Sequence, residues 1–209
     1  MRNVPSDPDT TDAELWRLAV EGEPQRFGTL FDRHARAVYN HCFRRTGDWS
    51  AAEDLTSVVF LEAWRRRDDV RLHGDSALPW LLGVAGNVVR NRHRATRRHR
   101  EAMARLPGQR PEPDHADDVA GRLDDERVMT VLLRLVGRLS RDDQDVLTLC
   151  AWDGLSYAEA ATALGVPLGT VRSRLSRAKS RLRELTTLEP PGRLGHRQGA
   201  IPKPSGEEL

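Results

Sequence analysis

Residues 156–185 read SYAEAATALGVPLGTVRSRLSRAKSRLREL, and this stretch sets the reading of the whole chain. Ser156 and Glu159 have the spacing of a capping box, in which each residue satisfies an orphan donor at the start of a helix. Tyr157, Ala160, Ala161 and Leu164 give that helix an apolar stripe, and Gly165-Val166-Pro167 supplies a tight turn. A second helix is predicted from Thr170, with Val171, Leu175, Ala178 and Leu182 as its buried stripe. Its polar side carries Arg172, Arg174, Arg177, Lys179, Arg181 and Arg183 and is nearly uniform in sign. Two short helices across such a turn make a helix-turn-helix, whose second helix fits the major groove of B-DNA. Thr170, Arg172, Ser173 and Arg174 would reach base edges, and Arg177 and Lys179 the phosphates. A basic run alone is more often a solvated face, and it is the turn and the preceding helix that favour DNA.

Working outward, residues 124–136 carry Val128, Val131, Leu132, Leu135 and Val136 on one helical stripe, and Ser140 caps a helix with Val146, Leu147 and Cys150 that stops at Gly154. Upstream lies a stretch of a different character. Residues 112–126 hold seven acids against one arginine, behind Pro107, Gly108, Pro111 and Pro113, which is linker composition.

The N-terminal half shows four more helices. One runs from Thr11 or Asp12 to Gly22 with Leu15, Trp16, Leu18, Ala19 and Val20. A second opens at Pro24, with Phe27, Leu30, Phe31, His34, Val38, Tyr39 and Cys42 on one face. A third is predicted from a Ser50–Glu53 capping box through Leu55, Val58, Val59, Leu61 and Trp64 to the Arg65–Arg67 cluster. After a loop over residues 68–76, a fourth begins near Pro79 with Trp80, Leu81, Leu82, Val84, Ala85, Val88 and Val89. Its second half, residues 90–100, has six arginines and two histidines and cannot be core.

Composition excludes other classes. The 209 residues carry a net charge of +2, with Lys179 and Lys203 the only lysines among 33 basic residues. Two cysteines do not make a disulfide scaffold, and no stretch approaches the roughly 18 to 20 apolar residues of a membrane span. The first residues lack the apolar core of a signal peptide, so a cytoplasmic protein with reduced thiols is expected. His34, His41 and Cys42 lack the spacing of a metal site, and no phosphate loop, GxSxG or HExxH occurs. An enzyme, a metal and a cofactor are therefore not expected, nor is a small-molecule substrate or a membrane. The near-neutral total is a sum over opposed segments, because residues 90–100 and 170–183 together hold twelve positive charges and no acid.

Two stretches, AAEDLTSVVFLEAWRRR (51–67) with SALPWLLGVAGNVVRNRHR (76–94), and LSRDDQDVLTLCAWDGLSYAEAATALGVPLGTVRSRLSRAKSRLRE (139–184), resemble one family. They are similar to domains 2 and 4 of the small bacterial sigma factors of the extracytoplasmic-function (ECF) type, in the family's order and over roughly residues 13–105 and 124–185. The resemblance implies a dissociable subunit that binds core RNA polymerase and directs recognition and melting of promoters. Thr170, Arg172, Ser173, Arg174, Arg177 and Lys179 would read the −35 element. Asn87, Arg90, Asn91 and Arg94 would belong to the −10 surface, and the loop from Asp68 to Ser76 would border the pocket for a flipped base. Glu53, Asp54, Ser57 and Glu62 would face the clamp helices of the largest polymerase subunit, with the flap region as a second contact and an anti-sigma factor as a further partner. The chain departs from the family pattern at Ser57-Val58, where Gln-Glu is common, and at Gly86, where an Arg is common.

The expected architecture is all-α: a disordered arm over 1–11, a sigma domain 2-like bundle over 12–105, a flexible acidic linker over 106–123, a helix-turn-helix sigma domain 4 over 124–186, and a disordered tail over 187–209. The expected location is the cytoplasm, at the nucleoid when bound to polymerase. The competing reading is a stand-alone helix-turn-helix regulator whose N-terminal helices dimerise or sense a ligand. The tryptophan-bearing third and fourth helices discriminate, being needed by the first reading and arbitrary in the second.

Overall fold

Thr11 begins the first helix by accepting the Glu14 amide on its side chain at 3.3 Å. The computed structural model describes residues 10–72, 74–103, 129–130 and 132–188, and all regular structure among them is helical. The expected linker, most of the N-terminal arm, the tail from 189, and Val128 and Val131 lie outside the described residues.

Helix α1 (Asp12–Val20) packs on α2 (Pro24–Thr46), which has proline in its first turn and ends at Gly47 in the left-handed region with φ 69°. Helix α3 (Trp49–Arg65) lies against α2, and α4 (Leu78–Met103) against both. Leu15, Leu30, Val38, Cys42, Val59, Leu81, Leu82 and Val89 fill the space between them and are almost wholly buried. Burying side chains of this size contributes about 1.5–3 kcal/mol each before entropy is counted. One end of this core is aromatic: Trp16 meets Trp80 edge-on at 5.1 Å, and Phe27 meets Trp64 at 5.2 Å.

Three boundaries differ from the expectation. Asp48 caps α3 through the Ala51 amide at 2.9 Å, in place of Ser50 with Glu53, because the left-handed Gly47 ends α2 one residue earlier. The last helix starts at Leu168, not Thr170, since the Pro167 carbonyl already accepts from the Thr170 and Val171 amides. The helix expected to run from Ser140 to Gly154 is α-helical only over Arg141–Leu147 (α5) and continues as a π-helical turn, Thr148–Trp152. There Thr148 donates its hydroxyl to the Gln144 carbonyl at 2.9 Å, and the Asp153 amide reaches back to the Thr148 carbonyl at 3.0 Å, the five-residue step of a π-helix.

Helices α6 (Tyr157–Leu164) and α7 (Leu168–Leu188) complete the C-terminal block, preceded by helical residues 129–130 and 132–136. Ser140 caps α5, and the Ser156–Glu159 capping box is present with both of its hydrogen bonds. The two halves are packed face to face. Helix α4 lies along α6, α2 touches the π-helical turn, and one continuous apolar cluster runs from Leu15 to Ala178. The backbones of α4 and α6 approach closely at Gly83, where an added Cβ would stand 2.4 Å from the Ala163 carbonyl oxygen.

Six residues assigned to apolar helix faces are exposed instead: Val20, Phe31, Val58, Leu61, Leu132 and Tyr157 are each 38–47% exposed. Periodicity places them at the edge of a buried face, where cover is partial: Phe31 still meets Phe60 of α3 edge-on at 4.7 Å.

Candidate nucleic-acid interface

Helix α7 is held by its apolar side, with Val171 and Ala178 fully buried and Leu175 nearly so between α5 and α6. The opposite side is cationic and wet: Arg172, Ser173, Arg177 and Lys179 are exposed, and Thr170 is half-buried. Among the described residues no acid lies within ion-pair distance of Arg172 or Lys179. Arg174 is different. Its guanidinium reaches Asp142 at 2.5 Å and its side chain is only 22% exposed. Arg177 donates to Asp143 at 3.0 Å. Burial would raise the Asp143 carboxyl, but hydrogen bonds from Arg177 and Ser140 and the charge of Arg174 together bring it below the usual carboxylate range.

Tyr157, read as a core residue, stands over this cationic side. With Arg172, Leu175, Ser176, Lys179 and Arg183 it lines a shallow groove of about 290 Å³. The only signal in the sequence for this role was its place at the first turn of α6, where an aromatic serves burial or exposure equally well.

The −10 candidates lie along one stretch of α4. Asn87, Asn91 and Arg94 are exposed, as is every residue from 91 to 100. Arg90 donates to Asn87 Oδ1 and to Asp145 Oδ2, and so is turned toward the C-terminal block. Asn87 and Asn91 share a groove of about 580 Å³ between α3 and α4 with Asp54, Val58, Glu62 and Arg92. The structure therefore joins two of the polymerase candidates, Asp54 and Glu62, to two of the −10 candidates, Asn87 and Asn91, in one groove, while Arg90 and Arg94 lie outside it. Glu53 and Ser57 are exposed on α3 outside it.

The loop over residues 68–76 is anchored at its start. The Arg67 guanidinium lies 3.9 Å above the Trp64 ring, and Trp16 Nε1 donates to the Arg67 carbonyl at 3.2 Å. His73 lies outside the described residues. A Cβ at Gly86 would have Arg90 Nη1 at 3.9 Å, ordinary contact, so the departure there leaves room for a side chain.

The remaining chemistry-bearing residues have structural partners. His34 Nε2 is 2.5 Å from Asp12, and His41 Nδ1 is 2.6 Å from Asp153. Burial pushes the Cys42 thiol up to about 12, against a smaller lowering by Thr56. Among the described residues no group of three or more His, Cys, Asp or Glu could hold a metal ion, and no helix is long and apolar enough to cross a membrane.

Two family models match the chain in succession, Sigma-70 region 2 over residues 30–99 and Sigma-70, region 4 over residues 129–182. The ECF RNA polymerase sigma factor SigL of Mycobacterium tuberculosis is 32% identical over 168 residues, which are 79% of this chain and 91% of that relative. BldN of Streptomyces coelicolor, also an ECF RNA polymerase sigma factor, is 33% identical over 174 residues, and there the match takes in 82% of this chain and 64% of the relative. Among solved structures, CnrH in complex with the cytosolic domain of CnrY superposes with a TM-score of 0.63 at 25% identity, covering 85% of this chain and 98% of that one. With both regions present in order and SigL matched over nearly its full length, the chain belongs to the ECF group of RNA polymerase sigma factors.

Proposed function

We propose that this chain is a dissociable initiation subunit that binds core RNA polymerase, directs it to promoters and takes part in opening the duplex, with no catalysis of its own. The observation that carries the reading is the succession of region 2 and region 4 on one chain, each with an exposed surface suited to its part. The α3–α4 groove joins carboxylates to amides and arginines, and α7 offers an almost uniformly cationic face.

Within that function the roles divide by chemistry. Arg172 and Arg174, near the start of α7, suit bidentate contact with guanine edges of the −35 element, and Thr170 and Ser173 suit either base or phosphate. Arg177 and Lys179 sit further along the helix and suit phosphates, whose neutralisation makes affinity fall with salt. Asn87, Arg90, Asn91 and Arg94 suit the −10 element. Splaying a base out of the stack costs a few kcal/mol, and in this reading the loop 68–76, which follows the Trp64–Arg67 pair, would border a pocket that repays it. Glu53, Asp54, Ser57 and Glu62, with the exposed Val58, suit the polymerase clamp, and the C-terminal block suits the flap. An anti-sigma factor is a further partner in this reading, as RpoE of Bartonella quintana was solved in complex with the anti-sigma factor NepR. The place of action is the cytoplasm, at the nucleoid when polymerase is bound.

Reconstitution with a bacterial core polymerase on a promoter library tests the proposal. Specific run-off transcripts that depend on the protein are expected. Failure either to bind core or to select templates overturns it.

A further inference from the structure

The loop that joins α3 to α4 is fastened at both ends to one face of α1. At its start Trp16 Nε1 donates to the Arg67 carbonyl at 3.2 Å. At its end the bonds run both ways: the Asp12 amide donates to the Asp75 carbonyl at 3.1 Å, and the Ala77 amide donates to the Asp12 carboxylate at 2.9 Å. The Ser76 hydroxyl reaches the same carboxylate at 3.4 Å. Asp12 and Trp16 are four positions apart, the interval that sets two side chains one above the other on a helix. Both are almost wholly buried, at 5% and 4% exposed.

The helix that carries these fastenings is itself fixed. Arg33 and His34 of α2 hold the Asp12 carboxylate at 3.0 Å and 2.5 Å, and the Trp16 ring meets Phe27 of α2 and Trp80 of the first turn of α4 edge-on. The ring contacts would survive with phenylalanine in place of Trp16; what the indole N–H adds is a hold on the Arg67 backbone, just as the Asp12 carboxylate adds one on Ala77. Together they set the distance between the two ends of the loop. Between those ends Val70 and Leu72 pack on the core, while Asp68, Asp69, Arg71 and Gly74 face water. A segment pinned at both ends has fewer backbone conformations to lose, so a base captured there meets a surface that is already ordered.

Resting on the reading of loop 68–76 as the border of a base pocket, we infer that α1 is a positioning element for −10 recognition, in which Asp12 and Trp16 set the span of that loop. Neither residue touches DNA, since both are buried, and they act through the backbone at Arg67, Asp75 and Ala77. The selectivity of the pocket for its base then depends on hydrogen bonds made more than 50 positions earlier in the chain.

The test uses the full chain with Trp16→Phe, Asp12→Asn and Leu15→Val made separately. Trp16→Phe removes the donor and keeps a ring, and Asp12→Asn leaves one oxygen where the carboxylate offers two. Leu15→Val thins the same buried face without a bond to the loop, and so controls for lost stability. Amide hydrogen exchange over residues 68–77 should be about fivefold faster in Trp16→Phe and Asp12→Asn than in the wild type, the scale of one lost hydrogen bond, and unchanged in Leu15→Val. With core polymerase, on template libraries randomised over the −10 or the −35 positions, the same two variants should lose about fivefold in −10 discrimination and nothing in −35 discrimination. Loop exchange equal to the wild type in both variants overturns the fastening. Faster exchange with −10 discrimination intact, or a loss that Leu15→Val shares, overturns the positioning role. A wild type that selects no templates overturns the proposed function instead, and the exchange rates alone then decide whether α1 fastens the loop.

Discussion

The Asp12 carboxylate accepts the backbone N–H of Ala77 at 2.9 Å, so the first turn of α1 serves a donor at the head of α4 from 65 residues away. The same carboxylate takes Arg33 at 3.0 Å, His34 at 2.5 Å and the Ser76 hydroxyl at 3.4 Å. One buried acid thus ties together α1, α2 and the loop before α4.

Burial alone would raise the Asp12 carboxyl, but the bonds from His34, Ala77 and Arg33 and the charge of His34 outweigh it and hold the group well below the usual carboxylate range. A depressed folded value means that the stabilisation is present above the unfolded value, about 4, and is lost as pH falls below it toward the folded value. Asp12→Ala should cost about 2–4 kcal/mol in urea unfolding at pH 7, since it leaves buried donors unpaired. At pH 2 the difference from the wild type should shrink. A pH-independent difference would mean that the charge of Asp12 is not what matters.

Arg172 and Arg174 are predicted to behave differently, because Arg172 lines the groove beside Tyr157 whereas Arg174 turns to Asp142. Arg172→Ala should lower −35 discrimination by about 1–3 kcal/mol, read as transcript ratios across a promoter library. Arg174 must first leave Asp142, so Asp142→Asn should strengthen promoter binding by a few-fold. Equal losses on all sequences for Arg172→Ala would assign it to phosphate rather than base.

Val58, 41% exposed where the family pattern has a polar residue, lies in the α3–α4 groove between Asp54 and Glu62. Val58→Lys sets a cation between Asp54 and Glu62 and should weaken core polymerase binding about tenfold, the scale of a central interface residue. Its melting temperature should be unchanged, because the side chain supports no core. Undiminished binding would move the polymerase contact off this groove.

Thiol chemistry reports on packing. The thiolate is the reactive form, and Cys42 is both fully buried and pushed up to about 12. Cys150 is half-buried and raised by its own burial, against a small lowering by Lys179. Alkylation of the native protein at pH 8 should mark Cys150 first, with Cys42 modified only at the rate of unfolding. Comparable rates would show that α2 is not covered as described.

Much of the local structure was legible because its causes are local. Thr11, Pro24, Ser140 and the Ser156–Glu159 box each act within one turn, and the helices start beside them. The α3 start was misread between Ser50 and Asp48, both good caps, because the choice rests on where Gly47 ends the preceding helix. Within the candidate site the cationic face of α7 was legible from one stripe, Val171, Leu175 and Ala178, that is buried as its spacing implies. Tyr157 and Val58 were misplaced because a period marks the centre of a buried face and not its edges.

By itself the sequence determined the helices, their order, the opposed charges of the segments and the two-part resemblance, since these follow from periodicity, capping and composition along the chain. Only the tertiary structure decided which acid meets which base: Asp12 with His34, Asp153 with His41, and Asp145 between Arg45 and Arg90. Amphipathic spacing says which side of a helix must leave water and is silent on what covers it. For that reason the face-to-face packing of the two halves could not be foreseen from residues more than 50 positions apart.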